Sequence, residues 1–208
     1  MNLFESEPNS EKNWLPKDGT VNYFGKLFSK HKADSFYEML FNTIKWEKDN
    51  IFIFGNHIIT NRKVAWYGEK KQEYTYSNTT KLALTWTKTL LELKSIIERR
   101  TGESFNSCLL NLYHNGSEGM GWHSDNEKSL ANNGAIASLS FGSERNFTFK
   151  HKESKAKVGV VLEHGSLLLM KNETQKHWLH QLPKTTKVTK PRINLTFRTT
   201  VEETCKNR

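Results

Sequence analysis

The second half of the chain is a succession of short strand-like segments, and this pattern restricts the fold more than any other feature of the sequence. From Phe105 onward, runs of four to seven residues are separated by turns rich in Gly, Asn and Lys. The runs are SCLLNLY, AIASLSF, NFTF, KVGVVL, SLLLMK, HWLHQL and INLTFR. Short strands at this spacing are typical of a β-sandwich or jelly roll.

Two amphipathic helices are predicted before these strands, because apolar residues recur at helical spacing in residues 33–44 and 86–100. The first stripe is Phe36, Met39, Leu40 and Ile44, and the second is Trp86, Leu90, Leu93 and Ile97. Gly102 suits the end of the second helix. We expect both helices to brace one side of a sheet, which gives an α+β fold with a jelly-roll core.

The length of 208 residues suits a single domain with a sizeable core. We expect a loosely ordered lead-in at 1–20, an N-terminal part with helices and recognition hairpins at 21–104, and the β-rich core at 105–201. Cys108 and Cys205 lie far apart without a CxxC partner, so neither a disulfide framework nor a zinc ribbon is indicated, and Cys108 is expected to be buried. No targeting signal or membrane-spanning apolar run is evident, and a soluble intracellular protein is expected.

The segment from Pro191 to Thr200 alternates strictly between apolar and polar residues. One face would carry Ile193, Leu195 and Phe197, and the other Arg192, Asn194, Thr196 and Arg198. Two arginines on a buried strand face are costly to desolvate unless anions satisfy them, and a guanidinium is shaped for bidentate carboxylate binding. The pattern predicts a site for a dicarboxylate, against the alternative of solvated arginines on an exposed strand.

The spacing His123-x-Asp125 places an imidazole and a carboxylate on one side of an extended segment. Two imidazoles and one carboxylate leave about three positions of an Fe(II) ion open. The third ligand must come from elsewhere, and His177 and His180 are the two candidates. Trp178, His180 and Leu182 would share an inward face of one strand, which is a partial reason to favour His180, and the main reason is the family resemblance given below.

Residues 106–200 resemble the AlkB family of Fe(II)/2-oxoglutarate dioxygenases in the order, spacing and content of six motifs. These are NLYHNG, WHSD, IASLSFGSERNF, HGSLLLM, HWLHQLP and PRINLTFR. The resemblance implies a double-stranded β-helix, Fe(II) as the metal, and 2-oxoglutarate and O₂ as co-substrates. It also implies that His123, Asp125 and His180 bind the iron. Arg192 and Arg198 would hold the carboxylates of 2-oxoglutarate in a pocket completed by Asn111, Tyr113, Asn194 and Thr196.

The activity that the resemblance implies is oxidative dealkylation of N-alkylated bases, with release of an aldehyde, succinate and CO₂, in the repair of alkylation damage. The base has to leave the stack to be oxidised, and aromatic side chains then hold it. By resemblance, Tyr74 and Tyr76 would line the base pocket, and a hairpin at 53–55 would probe the stack. The implied substrate-binding residues are Phe54, Gly55, Asn56, Arg62, Tyr74, Tyr76 and Asn126. Asn126 stands where repair enzymes commonly have an acidic residue, which leaves the preferred base open.

The net charge of +9 favours a nucleic-acid partner through counterion release. We expect DNA in preference to RNA, no membrane partner, a monomer, and a cytoplasmic location in a bacterium or a nuclear one in a eukaryote. Two other hypotheses remain at this point. One is the same oxygenase chemistry on an RNA, a protein or a small molecule, and the other is a nucleic-acid-binding module without catalysis.

Overall fold

Two antiparallel sheets form the centre of the computed structural model, which describes residues 10–53, 56–69, 73–76, 79–127 and 129–201. For residues 50–53, 56–59, 73–76 and 79–82 it describes the backbone alone. Within these ranges the major sheet has eight strands and the minor sheet has four, and a two-stranded ribbon stands apart. The prediction of an α+β fold with a jelly-roll core is confirmed.

The major sheet runs in the order β1-β12-β9-β14-β7-β3-β2, with β6 pairing beside β3. These strands are β1 (Thr20–Lys26), β2 (Glu47–Ile53), β3 (Asn56–Gly68), β6 (Leu84–Thr85), β7 (Ser107–Tyr113), β9 (Ile136–Gly142), β12 (Ser166–Lys171) and β14 (Arg192–Arg198). The minor sheet runs β11-β10-β13-β8. Its strands are β8 (Met120–His123), β10 (Arg145–His151), β11 (Lys157–Leu162) and β13 (Trp178–Leu182), and the ribbon is β4 (Glu73–Tyr76) with β5 (Thr79–Leu82).

Strand β14 lies at the centre of the major sheet, and every residue from Arg192 to Arg198 is buried. Ile193, Leu195 and Phe197 join the core on the helical side of the sheet, as the alternation predicts. The four polar residues therefore project to the opposite face, toward the minor sheet. Both faces of this strand are covered, which explains why its polar side chains are buried although they alternate with apolar ones.

The helical side of the major sheet is covered by α1 (Lys30–Thr43) and α2 (Lys88–Thr101), which begin at side-chain caps from Ser29 and Thr87. Gly102 ends α2 with a positive φ of 75°, a conformation that glycine adopts without a steric penalty. Both helices pack on the sheet and bury an apolar stripe, so the predicted bracing role is confirmed.

Met39 was predicted to belong to the buried stripe of α1, and that prediction is wrong, because 41% of Met39 is exposed. The helix buries Ala33, Phe36 and Leu40, which recur at three- and four-residue intervals. Met39 lies about 100° around the helix axis from Leu40, and it falls outside the face that meets the sheet.

The space between the sheets holds a second apolar core, which packs β1, β9 and β12 of the major sheet against β10, β11 and β13. Trp178 and Phe149 are its largest fully buried side chains. A third short helix, α3 (Thr174–His177), connects β12 to β13. Within the described ranges, every helix is too short or too polar to cross a membrane.

Candidate metal and dicarboxylate site

A cavity of about 420 Å³ opens between the two sheets at the polar face of β14. The minor sheet contributes His123 and His180 to its wall, and Asp125 lies two residues after the end of β8. The major sheet contributes polar side chains from three adjacent strands, namely Asn111, Tyr113, Ser138, Arg192, Asn194, Thr196 and Arg198. Residues that lie up to 87 positions apart in sequence, such as Asn111 and Arg198, therefore face one space.

The two histidines are brought together by the ladder between β8 and β13, in which His123 lies opposite His180. Their Nε2 atoms are 3.1 Å apart. His123 donates from Nδ1 to the carbonyl oxygen of Gly121 at 2.8 Å, so the lone pair of His123 lies on Nε2, toward the cavity. Burial lowers the pKa of His180 to about 3, which keeps its imidazole neutral and able to bind a cation at neutral pH.

Asp125 completes a triad with these imidazoles. Its Oδ1 lies 3.7 Å from Nε2 of His123 and 3.9 Å from Nε2 of His180, while its Oδ2 accepts from Nη2 of Arg198 at 2.6 Å. Burial alone would raise the pKa of Asp125, but Arg198 and the two imidazoles outweigh it and lower that pKa to about 2. The carboxylate is therefore ionised, with one oxygen held by the arginine and the other facing the imidazoles.

The spacing of these three atoms fits a first-row divalent cation. A circle through points separated by 3.1, 3.7 and 3.9 Å has a radius of about 2.1 Å, close to the roughly 2.0–2.2 Å at which imidazole nitrogen and carboxylate oxygen bind such ions. Two imidazoles and one carboxylate are the ligand set of non-haem Fe(II) oxygenases, and they leave positions open for co-substrates. The residues present therefore fit Fe(II).

His177, the other candidate third ligand, lies elsewhere in the molecule. It forms the last residue of α3 and groups with Asp18 and His151 in a second cluster. In that cluster, Nδ1 of His151 accepts from the backbone N–H of Ser154 at 3.1 Å, and Nε2 donates to Oδ2 of Asp18 at 3.1 Å. Both ring nitrogens of His151 are thus engaged in hydrogen bonds.

Arg192 is a buried cation whose guanidinium is paired with no carboxylate among the described residues. It donates to Oγ of Ser140 at 2.9 Å and to Oδ1 of Asn194 at 2.7 Å, and it lies 5.6 Å from the centre of the Tyr113 ring. Burial lowers its pKa to about 10. Nε of Arg192 and Oδ1 of Asn111 are buried and have no hydrogen-bond partner within the described part of the chain. A carboxylate, with its two oxygens, would accept hydrogen bonds from this buried guanidinium.

The strand register explains why these groups converge. In the ladders of β14, Arg192 lies opposite Tyr113 on β7, and Asn194 lies between Asn111 on β7 and Ser140 on β9. Asn194 and Thr196 are joined by a hydrogen bond of 2.8 Å. Sequence analysis did not single out Ser138 and Ser140, although their alternation in IASLSFG already places them on one face.

Arg62 was predicted to bind substrate beside a probing hairpin, and that role stays a prediction; the structure places Arg62, buried, in the wall of the cavity. Its guanidinium is paired with the buried carboxylate of Asp49, and it lies 3.5 Å from Sδ of Met120 and 5.9 Å from the Tyr113 ring centre. Burial alone would lower the pKa of Arg62, but Tyr113 and Asp49 outweigh this and raise it. Sequence analysis missed Asp49 altogether.

The structure also changes the interpretation of Asn126. This residue is exposed and lines a separate cavity, whereas Glu127 lines both that cavity and the one with the triad. Asp125 and Glu127 both line the cavity with the triad, whereas Asn126 between them lines only the other one. An acidic residue therefore does line the cavity, one position after Asn126, which stands where repair enzymes commonly have an acidic residue.

The remaining predicted substrate residues lie outside what the structure describes. Phe54 and Gly55 are outside the described residues, and for Asn56, Tyr74 and Tyr76 only the backbone is described, in β3 and β4. Their predicted roles at the base remain predictions.

Comparisons with known proteins agree with this geometry. Residues 20–198 match the model of a family described as the 2OG-Fe(II) oxygenase superfamily. The chain is 39% identical over 183 residues to the DNA oxidative demethylase ALKBH2 of Homo sapiens, covering 83% of this chain and 70% of that protein. It is 42% identical over 178 residues to the alpha-ketoglutarate-dependent dioxygenase alkB homolog 3 of Bos taurus, covering 81% of this chain and 62% of that protein. The solved structure of OsALKBH1 shares the fold, with a TM-score of 0.59 at 14% identity, covering 89% of this chain and 98% of that one.

Proposed function

The chain belongs to the 2OG-Fe(II) oxygenase superfamily, and we propose that it oxidatively removes alkyl groups from ring-nitrogen-alkylated bases in DNA. The observation that carries the proposal is that a His–Asp–His triad and a desolvated arginine open into one cavity. The triad suits the iron of this family, and the arginine suits the dicarboxylate. The curated relatives ALKBH2 and alkB homolog 3 support the choice of reaction.

In this proposal His123, Asp125 and His180 hold Fe(II). When bound, the iron, 2-oxoglutarate and O₂ together supply the oxidation, in which 2-oxoglutarate becomes succinate and CO₂ and one oxygen atom enters a C–H bond of the alkyl group. The hydroxyalkyl group then leaves the base as an aldehyde. The polypeptide contributes no nucleophile, and its part is to position the reactants and to exclude side reactions.

The two arginines have different parts in this proposal. Arg198 is bonded to the metal ligand Asp125, so it lies at the metal end of the cavity. Arg192 stands six residues away on the same strand face and is paired with no described carboxylate, so it suits the carboxylate of 2-oxoglutarate that is remote from the iron. Tyr113 lies opposite Arg192, Asn111 lies opposite Asn194, and both line the cavity, where they would orient the same carboxylate.

The base would enter from the side of Glu127. A base alkylated on a ring nitrogen is cationic, and a carboxylate in the cavity wall attracts it and accepts from its exocyclic amine. The net charge of +9 favours the polyanionic backbone of the substrate. We expect the protein to act as a monomer, in the cytoplasm of a bacterium or the nucleus of a eukaryote.

The test is anaerobic reconstitution with Fe(II) and 2-oxoglutarate, followed by air and oligonucleotides that carry 1-methyladenine or 3-methylcytosine. Matched DNA and RNA oligonucleotides are compared, and the base mass, formaldehyde and succinate are measured, with His123→Ala and Asp125→Ala as controls. The proposal expects the methyl group to be lost from DNA and to be retained with both variants. Succinate without base repair would place the substrate elsewhere. If folded, iron-loaded protein forms neither product, a binding module without catalysis becomes the better interpretation.

A further inference from the structure

Asp125 differs from the other two members of the triad because no strand holds its backbone. His123 and His180 face each other in the ladder between β8 and β13, but β8 ends at His123. Asp125 therefore lies in the segment that follows β8, outside the ladder, and something other than a ladder has to fix its position.

The position of Asp125 matters because it stands in a wall between two spaces. One is the cavity of the triad, and the other is a separate cavity of about 480 Å³ on its far side. Asp125, Glu127 and Arg198 line both. A small rotation of the backbone at 124–126 would turn the carboxylate away from the imidazoles, and a displacement of about 1 Å already harms a metal site.

Gln175, in α3, supplies the missing backbone contact. Its side-chain carbonyl Oε1 accepts from the backbone N–H of Asp125 at 2.9 Å. The amide orientation is fixed by chemistry, because only an oxygen can accept from that N–H. Its Nε2 lies 3.5 Å from Sδ of Met170, which supports the other end of the amide.

Lys152 ties the same segments together from a second direction. Its Nζ donates to the backbone carbonyl of Gln175 at 2.9 Å and lies 3.4 Å from Oγ of Ser124. The helix that carries Gln175 is itself anchored, since the buried Oγ1 of Thr174 donates to the carbonyl of Lys171 at 2.6 Å. Gln175 thus connects Asp125 to a fixed point three residues before the strand that carries His180.

We propose that Gln175 is a positioning residue that holds the backbone of the metal ligand Asp125 in register with the two histidines. The inference rests on the proposed function, because it assigns Asp125 to the metal. Gln175 touches neither imidazole, so it acts on the metal through Asp125 alone. Partners of metal ligands contribute about 10- to 100-fold to metal affinity, and a contact to the backbone belongs at the lower end.

The experiment compares the unsubstituted protein with Gln175→Leu, Gln175→Glu and Gln181→Leu. The leucine at 175 keeps the approximate size but removes the acceptor, whereas the glutamate keeps an oxygen acceptor at the same reach. Gln181→Leu is the matched control. This half-buried glutamine follows His180 directly in β13, but its side chain projects to the opposite face of the strand. Mn(II), which is stable in air, is titrated into metal-free protein, and the free ion is measured by electron paramagnetic resonance. Thermal unfolding of each metal-free protein is measured in parallel.

We expect Gln175→Leu to raise the Mn(II) dissociation constant about tenfold, with an unchanged melting temperature, and Gln175→Glu and Gln181→Leu to bind like the unsubstituted protein. The inference is overturned if Gln175→Leu binds Mn(II) as tightly as the unsubstituted protein. It is also overturned if Gln175→Glu loses as much affinity, or if Gln175→Leu loses affinity only in proportion to a lower melting temperature. If the unsubstituted protein does not bind Mn(II) at all, the result counts against the proposed function itself. If it binds Mn(II) and Gln175→Leu binds equally well, only the role of Gln175 is overturned.

Discussion

Replacing Arg192 by Met should weaken the binding of 2-oxoglutarate without lowering the stability of the fold. The reason is that Arg192 is a buried cation that no carboxylate of the described residues neutralises. Its pKa is lowered from 12.5 to about 10 by burial. At about 1.4 kcal/mol per pKa unit, the charged side chain destabilises the metal-free fold by about 3 kcal/mol. The two hydrogen bonds to Ser140 and Asn194 are lost on substitution, and they offset part of that gain.

The expected result is that Arg192→Met leaves the melting temperature of the metal-free protein equal or a few degrees higher. The same change removes the counterion of a buried carboxylate, which costs about 2–5 kcal/mol of binding free energy. At about 1.4 kcal/mol for each factor of ten, the dissociation constant for 2-oxoglutarate rises by at least about 30-fold. Calorimetric titration of 2-oxoglutarate into Mn(II)-loaded protein measures the affinity, and differential scanning calorimetry measures the stability.

Arg145 provides the matched control. It is equally buried, but it donates to the carbonyl oxygens of Glu118 at 2.9 Å and Pro183 at 2.8 Å. Its loss would therefore leave these two backbone carbonyls without their hydrogen-bond donor. Arg145→Met should therefore unfold at a clearly lower temperature and bind 2-oxoglutarate almost normally once folded. The reasoning about Arg192 is refuted if Arg192→Met destabilises the protein as much as Arg145→Met does, or if it leaves the affinity for 2-oxoglutarate unchanged.

Three further predictions concern other residues. Glu127→Ala should lower kcat/KM on a methylated oligonucleotide by about 10- to 100-fold, the loss expected for a charge-assisted hydrogen bond. Asn126→Ala should change kcat/KM little. Equal effects of the two substitutions in the demethylation assay would contradict the different placement of the two residues. Burial raises the pKa of Tyr23 to about 12, and its hydroxyl donates to Glu163 at 2.8 Å. The tyrosine of the unfolded chain ionises above about pH 10, whereas that of the folded protein stays protonated up to about pH 12. The folding stability that this group contributes below pH 10 is therefore lost as the pH rises from 10 to 12. Tyr23→Phe should flatten that alkaline loss in pH-dependent urea unfolding, and an unaltered slope would refute the assignment. His151→Asn should lower stability by about 1 kcal/mol through loss of the bond to Asp18, with Mn(II) affinity unchanged; weaker Mn(II) binding would show that the second cluster contributes to the metal site.

The parts of the site that follow a local period could be predicted from the sequence. The alternation of Ile193, Leu195 and Phe197 with polar residues fixes the faces of β14, because a period of two allows only one arrangement against a core. Glu127 lies two residues after Asp125 and lines the same cavity, so a period of two continued beyond the motif would have pointed to it. The family resemblance pointed to Asn126 instead.

The pairing of Arg62 with Asp49 could not be predicted in this way. The two residues lie 13 positions apart on β2 and β3, and the register between these strands shifts between Lys48 and Asn50, where Asp49 sits. At such a register shift, a side chain projects to the opposite face of the sheet from the one that strict alternation predicts. Met39 illustrates the converse case, in which spacing allowed a buried position but the sheet covers a narrower stripe of the helix than the apolar pattern suggested.

The two histidine–aspartate clusters show why composition alone does not identify a metal site. Each contains two histidines and one aspartate with ligand atoms within 4.8 Å of one another. The difference lies in the second ring nitrogen. At His123 a backbone carbonyl holds the proton on Nδ1 and leaves the Nε2 lone pair for a cation, whereas at His151 a backbone N–H occupies Nδ1 and forces the proton onto Nε2, where it donates to Asp18. A cation at the second cluster would have to displace that proton and leave a ring N–H against the N–H of Ser154. The hydrogen-bond partner of the distal nitrogen therefore favours a cation at His123 and disfavours one at His151, and that partner is visible only once the chain is folded.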